Sequence, residues 1–354
     1  MQSYRSNRNY CLFLIQLLAV VGTAQSSLFS SDSILSLELE GDTRALFNDR
    51  EGDPNYFKMK ISYLDSSQNK VTLPLKVKTR GNFRRDRNNC FYPPLWLNFP
   101  KSKIPPNTLF SGQDKIKLVT PCRDQKYVIR EYLVYKLYNL LAPTSFRARL
   151  VKVTYTNKKR GKSTDPLLGI ILEDKGEMAQ RNQASIIKRL KIRPNKTERE
   201  EFLKMAVFQY LIGNTDWSIE FQHNVKLIVK EGALRALAVP YDFDHAGIVR
   251  APYAKPAAAL QLKSIQERLY RGFCLDSIDE LSDTFAFFNE KKAEIYALYQ
   301  DNPLLELRYI RSTVKFLDDF YRIINSPKVS TREFLYPCDK RGTGKVIIQG
   351  LNAK

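Results

Sequence analysis

Asp216, Asn224, Asp242 and Asp244 are the side chains whose types and spacing could do chemistry. Asp216 follows Leu211-Ile212-Gly213-Asn214-Thr215, Asn224 comes a short loop later, and Asp242 and Asp244 bracket Phe243. Carboxylates and an amide are hard oxygen donors. Mg²⁺ is usually held by one or two carboxylates and completes its shell with phosphate oxygens. A loop aspartate beside such a site can accept the proton of an attacking hydroxyl. The grouping therefore points to phosphoryl transfer, with Asp216 as the catalytic carboxylate and Asn224, Asp242 and Asp244 as metal ligands. Each piece has a plainer explanation, because Asp-x-Asp after a strand is often a turn and Asn-Thr-Asp often a cap. It is their succession that argues for chemistry.

Position follows from the flanking elements. Phe202, Met205, Phe208, Leu211 and Ile212 recur at helical spacing and predict a helix over 197–212. Thr197 and Glu200 read as its capping box, and Gly213 as its stop. A hairpin is predicted next, with strands over 224–229 and 234–241 around Glu231-Gly232. A hairpin brings its ends together, so Asn224 and Asp242 become neighbours and Asp216 precedes the same point. Upstream, strands are predicted over 34–40, 56–64, 70–78, 95–99, 116–119, 149–156 and 167–172. A helix over 127–141 ends before Pro143. Helices dominate again from Pro256 to Asn325. Strands first and helices later predict an α+β fold of two lobes: a β-rich lobe over 27–173 and a helical lobe over 174–340, with a loose tail over 341–354.

The chain has 354 residues, 57 Lys+Arg against 37 Asp+Glu, and a formal net charge of +20. Apolar residues at 43% and charged residues at 27% exclude a disordered tail, a collagen-like repeat and a polytopic membrane protein. The positive balance favours anionic partners, with no RNA-binding signature to make nucleic acid one of them. Arg5 and Arg8 precede an apolar run from Cys11 to Val21 and the small residues Gly22-Thr23-Ala24. This reads as a secretory signal peptide over 1–26, too short to span a ~30 Å hydrocarbon core. It predicts a secreted or otherwise extracytoplasmic protein with no spanning segment after cleavage. Cys90, Cys122, Cys274 and Cys338 would remain, enough for two disulfides of open connectivity. With His223 and His245 as the sole histidines, a histidine-based metal site is disfavoured. Both are read as polar filling of the loops that flank the site, and Trp217 as packing.

The ordered set of motifs resembles the spore-coat CotH kinase family, a secretory branch of the protein-kinase-like superfamily. The likeness covers roughly residues 50–250. It takes in Arg80-Gly81-Asn82, the helix with Arg130-Glu131, Gly169-Ile170-Ile171-Leu172-Glu173, Gly213-Asn214-Thr215-Asp216-Trp217, Asn224, and Asp242-Phe243-Asp244 followed by Gly247. The resemblance implies a two-lobed kinase-like fold. It also implies transfer of phosphate from ATP, with Mg²⁺ or Mn²⁺, to Ser or Thr of a protein. It places Asp216 as the catalytic Asp, Asn224 and Asp242 on the metal, Arg80, Gly81 and Asn82 over the phosphates, and Glu173 near the adenine. The family's lysine before the strand over 95–99 is missing, since Phe91-Tyr92-Pro93-Pro94 stands there. Lys117 is the substitute, with Glu131 as its pair; Arg84 and Arg85 are rivals.

Two other readings stay open. Without the phosphate-binding cation the chain would be a pseudokinase, or a basic module that binds an anionic envelope polymer or an acidic partner. The acceptor could also be a sugar or another small alcohol. Arg181, Lys188, Arg189, Lys191 and Arg193 form a basic run that either meets an acidic substrate or faces solvent.

Overall fold

The computed structural model describes residues 28–335. The leader expected over 1–26, the tail from 341 and Cys338 lie outside them.

In chain order the elements are β1 (Leu35–Gly41), α1 (Thr43–Asn48), β2 (Phe57–Leu64), β3 (Lys70–Thr79), β4 (Leu95–Asn98), β5 (Lys115–Val119), α2 (Gln125–Leu141), β6 (Ala148–Asn157), β7 (Lys162–Ser163) and β8 (Leu167–Leu172). There follow α3 (Lys175–Arg181), β9 (Ala184–Ile186), α4 (Arg199–Leu211), β10 (Val225–Lys230), β11 (Leu237–Pro240), α5 (Ser282–Glu290), α6 (Lys292–Gln300), α7 (Leu307–Ile324) and α8 (Pro327–Phe334). The expected strands and the two expected helices are present. The capping box is not. Thr197 Oγ1 donates to Pro194 O inside a 3₁₀ turn, and α4 starts at Arg199 without a side-chain cap.

The two-lobed kinase fold is overturned by the way the first strands join. β1, β2, β3, β4, β5, β8 and β6 pair in that order, and β6 then pairs with β1. The result is a closed, mixed, seven-stranded barrel with β7 as a short appendage. Its seam is parallel, in register from Leu35 opposite Val151 to Gly41 opposite Asn157; the other ladders are antiparallel. Closure removes exposed sheet edges, which otherwise template aggregation.

Strand alternation separates two cores across the barrel wall. Leu118, Val151 and Ile171 point inward and pack with Leu37, Leu39, Ile61 and Leu75. Their neighbours Val119, Leu150, Ile170 and Leu172 point outward, into a second core shared with α2, α4 and the later helices. α2 is buried around its whole circumference: Val128, Ile129, Leu133, Val134 and Leu137 are all covered. It lies on the outer wall at β6 and β8 and contacts α6 on another side. A polar residue of α2 is therefore held between the barrel and the helical half. Glu131 and Tyr135 occupy such positions.

Cys90 and Cys122 form a disulfide, and Cys274 is disulfide-bonded as well. Among the described residues no helix is long and apolar enough to cross a membrane.

The Cys90–Cys122 bond closes a loop of sequence separation 32. Loop-closure entropy then predicts that Cys90→Ala with Cys122→Ala lowers unfolding stability by about 4 kcal/mol. Urea titration of the double variant checks this. An unchanged midpoint would mean that the β3–β4 loop is held by its other contacts alone.

Candidate functional site

α4 runs into Gly213, whose backbone is left-handed (φ +65°). The loop behind it is braced from inside. Asn214 is fully buried; its Nδ2 donates to Gln209 Oε1 and its Oδ1 accepts from Asp216 N. Arg271 donates to the carbonyls of Thr215 and Trp217. Gly247 N donates to Gly213 O and Ile248 N to Ile212 O, which pins the segment after Asp244 to the end of α4. A Cβ at Gly247 would lie 2.5 Å from Ile265 O, so only glycine fits there.

The carboxylate of Asp216 is held at both oxygens. Oδ1 lies 2.9 Å from His223 Nε2, and Oδ2 accepts from Asn224 Nδ2 at 2.9 Å. Asn224 Nδ2 also donates to Asp216 O at 2.8 Å. The segment between them is a tight return: Ser218 and His223 pair through both backbone hydrogen bonds, with left-handed Gln222 and Asn224 at its end. His223 was read as polar filling, but it is a direct partner of Asp216. The signal was its place immediately before Asn224, which forces it back beside the same carboxylate once the loop folds.

The hairpin performs the expected convergence. Val225 pairs with Pro240, and Tyr241 N donates to Asn224 O at 2.9 Å. Asp242 is left-handed (φ +64°), and its N–H donates to Tyr135 Oη of α2 at 2.9 Å. Phe243 is fully buried against Tyr135 and Phe208, with ring centroids 4.8 and 5.6 Å away. Asp216 and Asn224 are thus hydrogen-bonded to each other, and Asp242 follows directly on the Tyr241 that bonds Asn224. Asp244 turns to another set: Oδ2 accepts from Tyr253 Oη at 3.1 Å and lies 3.7 Å from Arg84.

Lys117, on the outer wall of the barrel, donates to Asp242 Oδ1 at 2.8 Å. This replaces the expected Lys117–Glu131 pair. Glu131 has Arg84 at 3.7 Å instead, and its Oε1 is buried without a hydrogen-bond partner among the described residues. Arg84 also donates to Thr120 O. Arg85 points away, to Gly52 O. Burial alone would raise the Asp242 carboxyl. The Lys117 ammonium, with Arg80 and Arg84 behind it, outweighs that and holds it well below the usual carboxylate range. Glu131 moves the other way. Its burial and the charge of Asp244 outweigh Arg84 and push it up to about 8.

Beside this group is a cavity of about 210 Å³ lined by Arg80, Lys117, Lys226, Phe146, Leu172 and Tyr241, among others. Arg80 stacks over Trp96 at 4.5 Å, and its Nε is buried without a partner among the described residues. Burial and the charge of Lys175 lower the Lys226 ammonium's pKa; the charge of Asp242 opposes them. Gly81 and Asn82 are exposed above this end, and Gly81 is left-handed (φ +86°). Glu173 lines the cavity but spends its carboxylate on Arg181 and on Arg147 N, and its own N–H on Arg147 O.

No group of three or more His, Cys, Asp or Glu able to hold a metal occurs among the described residues. A cage built from protein alone is therefore absent from them. Asp242 Oδ2 and the amide oxygen of Asn224 are two hard donors, which suits a cation that arrives with phosphate oxygens.

No protein-family model matches the chain, and no curated protein matches its sequence. Among solved structures it is similar to the Helicobacter pylori proinflammatory kinase CtkA, with a TM-score of 0.38, 12% identity, and coverage of 68% of this chain and 94% of that one. It is also similar to the aerobactin synthetase IucC of Klebsiella pneumoniae, with a TM-score of 0.25, 14% identity, and coverage of 79% and 58%. Likenesses this low carry no argument about this chain.

The protonated state of Glu131 is testable by linkage. Below the ordinary carboxyl range, folded and unfolded chains both hold this proton. Above it the unfolded chain releases the proton while the folded chain keeps it up to about pH 8. Stability therefore falls as pH rises through that window, by at most about 1.4 kcal/mol per unit. Glu131→Gln removes the fall, so wild-type stability relative to the variant should decline between pH 5 and pH 8 on denaturant titration. Parallel pH profiles would place the proton elsewhere.

Proposed function

We propose that this chain transfers the terminal phosphate of ATP to a hydroxyl group, that of Ser or Thr on a protein outside the cytoplasm. One observation carries the reading. Asp216, Asn224 and Asp242 converge at the mouth of the β10–β11 hairpin, and Lys117 joins Asp242 to a cavity whose cations are Arg80, Lys117, Lys175 and Lys226. Phosphoryl transfer asks little covalent chemistry of a protein; positioning and charge neutralisation supply most of the catalysis.

Asp216 takes the hydroxyl proton as the hydroxyl oxygen attacks phosphorus. The bond from phosphorus to the bridging oxygen breaks, and the nucleoside diphosphate leaves with its electron pair. His223 and Asn224 fix both oxygens of Asp216, and each oxygen keeps a lone pair for the incoming proton. Arg80 and Lys117 balance phosphate charge. Phe146, Leu172 and Tyr241 give the cavity an apolar wall for a base. Asn224 and Asp242 would hold Mg²⁺ or Mn²⁺, and the cation would supply neutralisation of phosphate charge. Asp244 is tied to Tyr253 and Arg84 and serves the loop instead.

A volume of about 210 Å³ is below the roughly 300–1,000 Å³ usual for ligand sites. A whole nucleotide therefore needs the Lys117–Asp242 contact to open. Phosphate entering the cavity competes for Lys117 and frees the Asp242 carboxylate for the cation it brings. The Cys90–Cys122 disulfide supports placement in an oxidising compartment. Polyanion binding without transfer is the second reading, favoured by the missing Lys117–Glu131 pair.

Purified protein with labelled ATP separates the two. Asp216→Ala should cut transfer by about 10²–10⁴-fold, the usual worth of a general base, and leave nucleotide affinity within a few-fold. Asp242→Ala should abolish metal-dependent nucleotide binding in a calorimetric titration. Equal transfer by wild type and Asp216→Ala would reject the catalytic assignment. A normal Mg·ATP isotherm with Asp242→Ala would reject the metal assignment.

A further inference from the structure

A second cavity, of about 550 Å³, lies against the barrel where α1, the β3–β4 loop and the β6–β7 turn meet. It shares no lining residue with the first. Its volume is within the range typical of small-molecule sites.

Five cations line it: Arg44, Arg50, Arg87, Arg160 and Lys162; no Asp or Glu does. No ion pair among the described residues neutralises any of the five. Asp42, which adjoins α1, is spent on Lys159 at 2.6 Å. Arg50 donates to the carbonyls of Phe47, Cys90 and Phe91; the charge of Asp86 reaches it without an ion pair. Arg87 donates to the amide oxygen of Asn48. Arg160 and Lys162 stand on the exposed turn without side-chain partners among the described residues. Like charges gathered round a partly apolar hollow raise the local concentration of anions and cost self-repulsion while it is empty.

Four aromatic residues, Phe47, Phe91, Tyr92 and Tyr155, share the lining with small polar ones. Tyr92 stacks on Tyr155 with centroids 5.9 Å apart, and Phe47 meets both rings edge-on at 5.3 and 5.1 Å. Phe91 stands at the rim, 75% exposed, 4.9 Å from Tyr92. A bare Phe at the mouth of a cationic hollow is a platform for a ring rather than core packing. Solvated basic surface would not need such walls.

We propose that this cavity is a second binding site, for a phosphate-bearing small molecule with a flat ring, of mononucleotide size. The phosphate meets Arg160, Lys162 and Arg87, and the ring lies on Phe91. This site stands independently of the transfer chemistry at Asp216.

The test titrates the full chain by calorimetry with AMP, inorganic phosphate and adenosine, without divalent metal and at constant ionic strength. Arg160→Ala with Lys162→Ala should weaken AMP and inorganic phosphate at least tenfold. Phe91→Ala should weaken AMP and leave inorganic phosphate unchanged. The same losses should appear in a Lys117→Ala background, which removes a phosphate contact of the other cavity. Should the double variant unfold early, Lys162→Glu at the rim makes the same test by charge reversal. AMP affinity within twofold of wild type in these charge variants would overturn the site. Adenosine binding as tightly as AMP would overturn the anionic part, and equal loss of AMP and phosphate with Phe91→Ala the ring platform.

Discussion

One side-chain amide holds the site together. Asn224 Nδ2 donates to both the carbonyl and the carboxylate of Asp216, while the Asn224 carbonyl accepts from Tyr241. A single residue thereby joins the loop after α4, the start of β10 and the end of β11. It does so with a left-handed backbone (φ +51°), and Asp242 across the hairpin mouth is left-handed too (φ +64°). Asn and Asp tolerate that region better than most residues, yet each such position costs free energy. Backbone strain at two facing positions persists because Phe243, Tyr135 and the Gly213–Gly247 contacts over-determine the fold around them.

Charge sets the next level. Three acids, Glu131, Asp242 and Asp244, face Lys117, Arg80 and Arg84 between barrel and helices, with Glu131 buried and Asp242 partly open to solvent. Such a cluster cannot ionise every acid at once. Asp242 sits on the cationic side and stays charged. Glu131, buried behind it, keeps its proton. The barrel matters because its closed wall fixes Lys117 and Trp96 on neighbouring strands, opposite each other in register. A cation mounted on a closed sheet has little room to drift from the carboxylate it meets.

Local pattern made the strands, the two helices and the hairpin legible before any coordinates. Alternation in 56–64 and 70–78 and helical spacing in 202–212 are short-range signals. Barrel closure was not legible, because nothing in residues 35–41 states that their second edge meets residues 151–157 in parallel. That pairing is decided by the length and twist of the whole sheet. The same limit explains the errors in the site. Asp216, Asn224 and Asp242 could be brought together on paper because one hairpin spans them. Lys117 was matched with Glu131, a neighbour in sequence, whereas its partner Asp242 lies 125 positions away. Thr197 looked like a cap, but the preceding Pro194 turn claimed its hydroxyl first.

The central claim is that these residues gather round nucleotide phosphates. Anomalous scattering from a crystal grown with Mn²⁺ and a non-hydrolysable ATP analogue measures this most directly. A manganese peak within bonding distance of the Asp242 carboxylate, with phosphates beside Arg80 and Lys117, is the result the account predicts. Well-ordered crystals with neither manganese nor nucleotide at that carboxylate, or with both bound elsewhere, would contradict it.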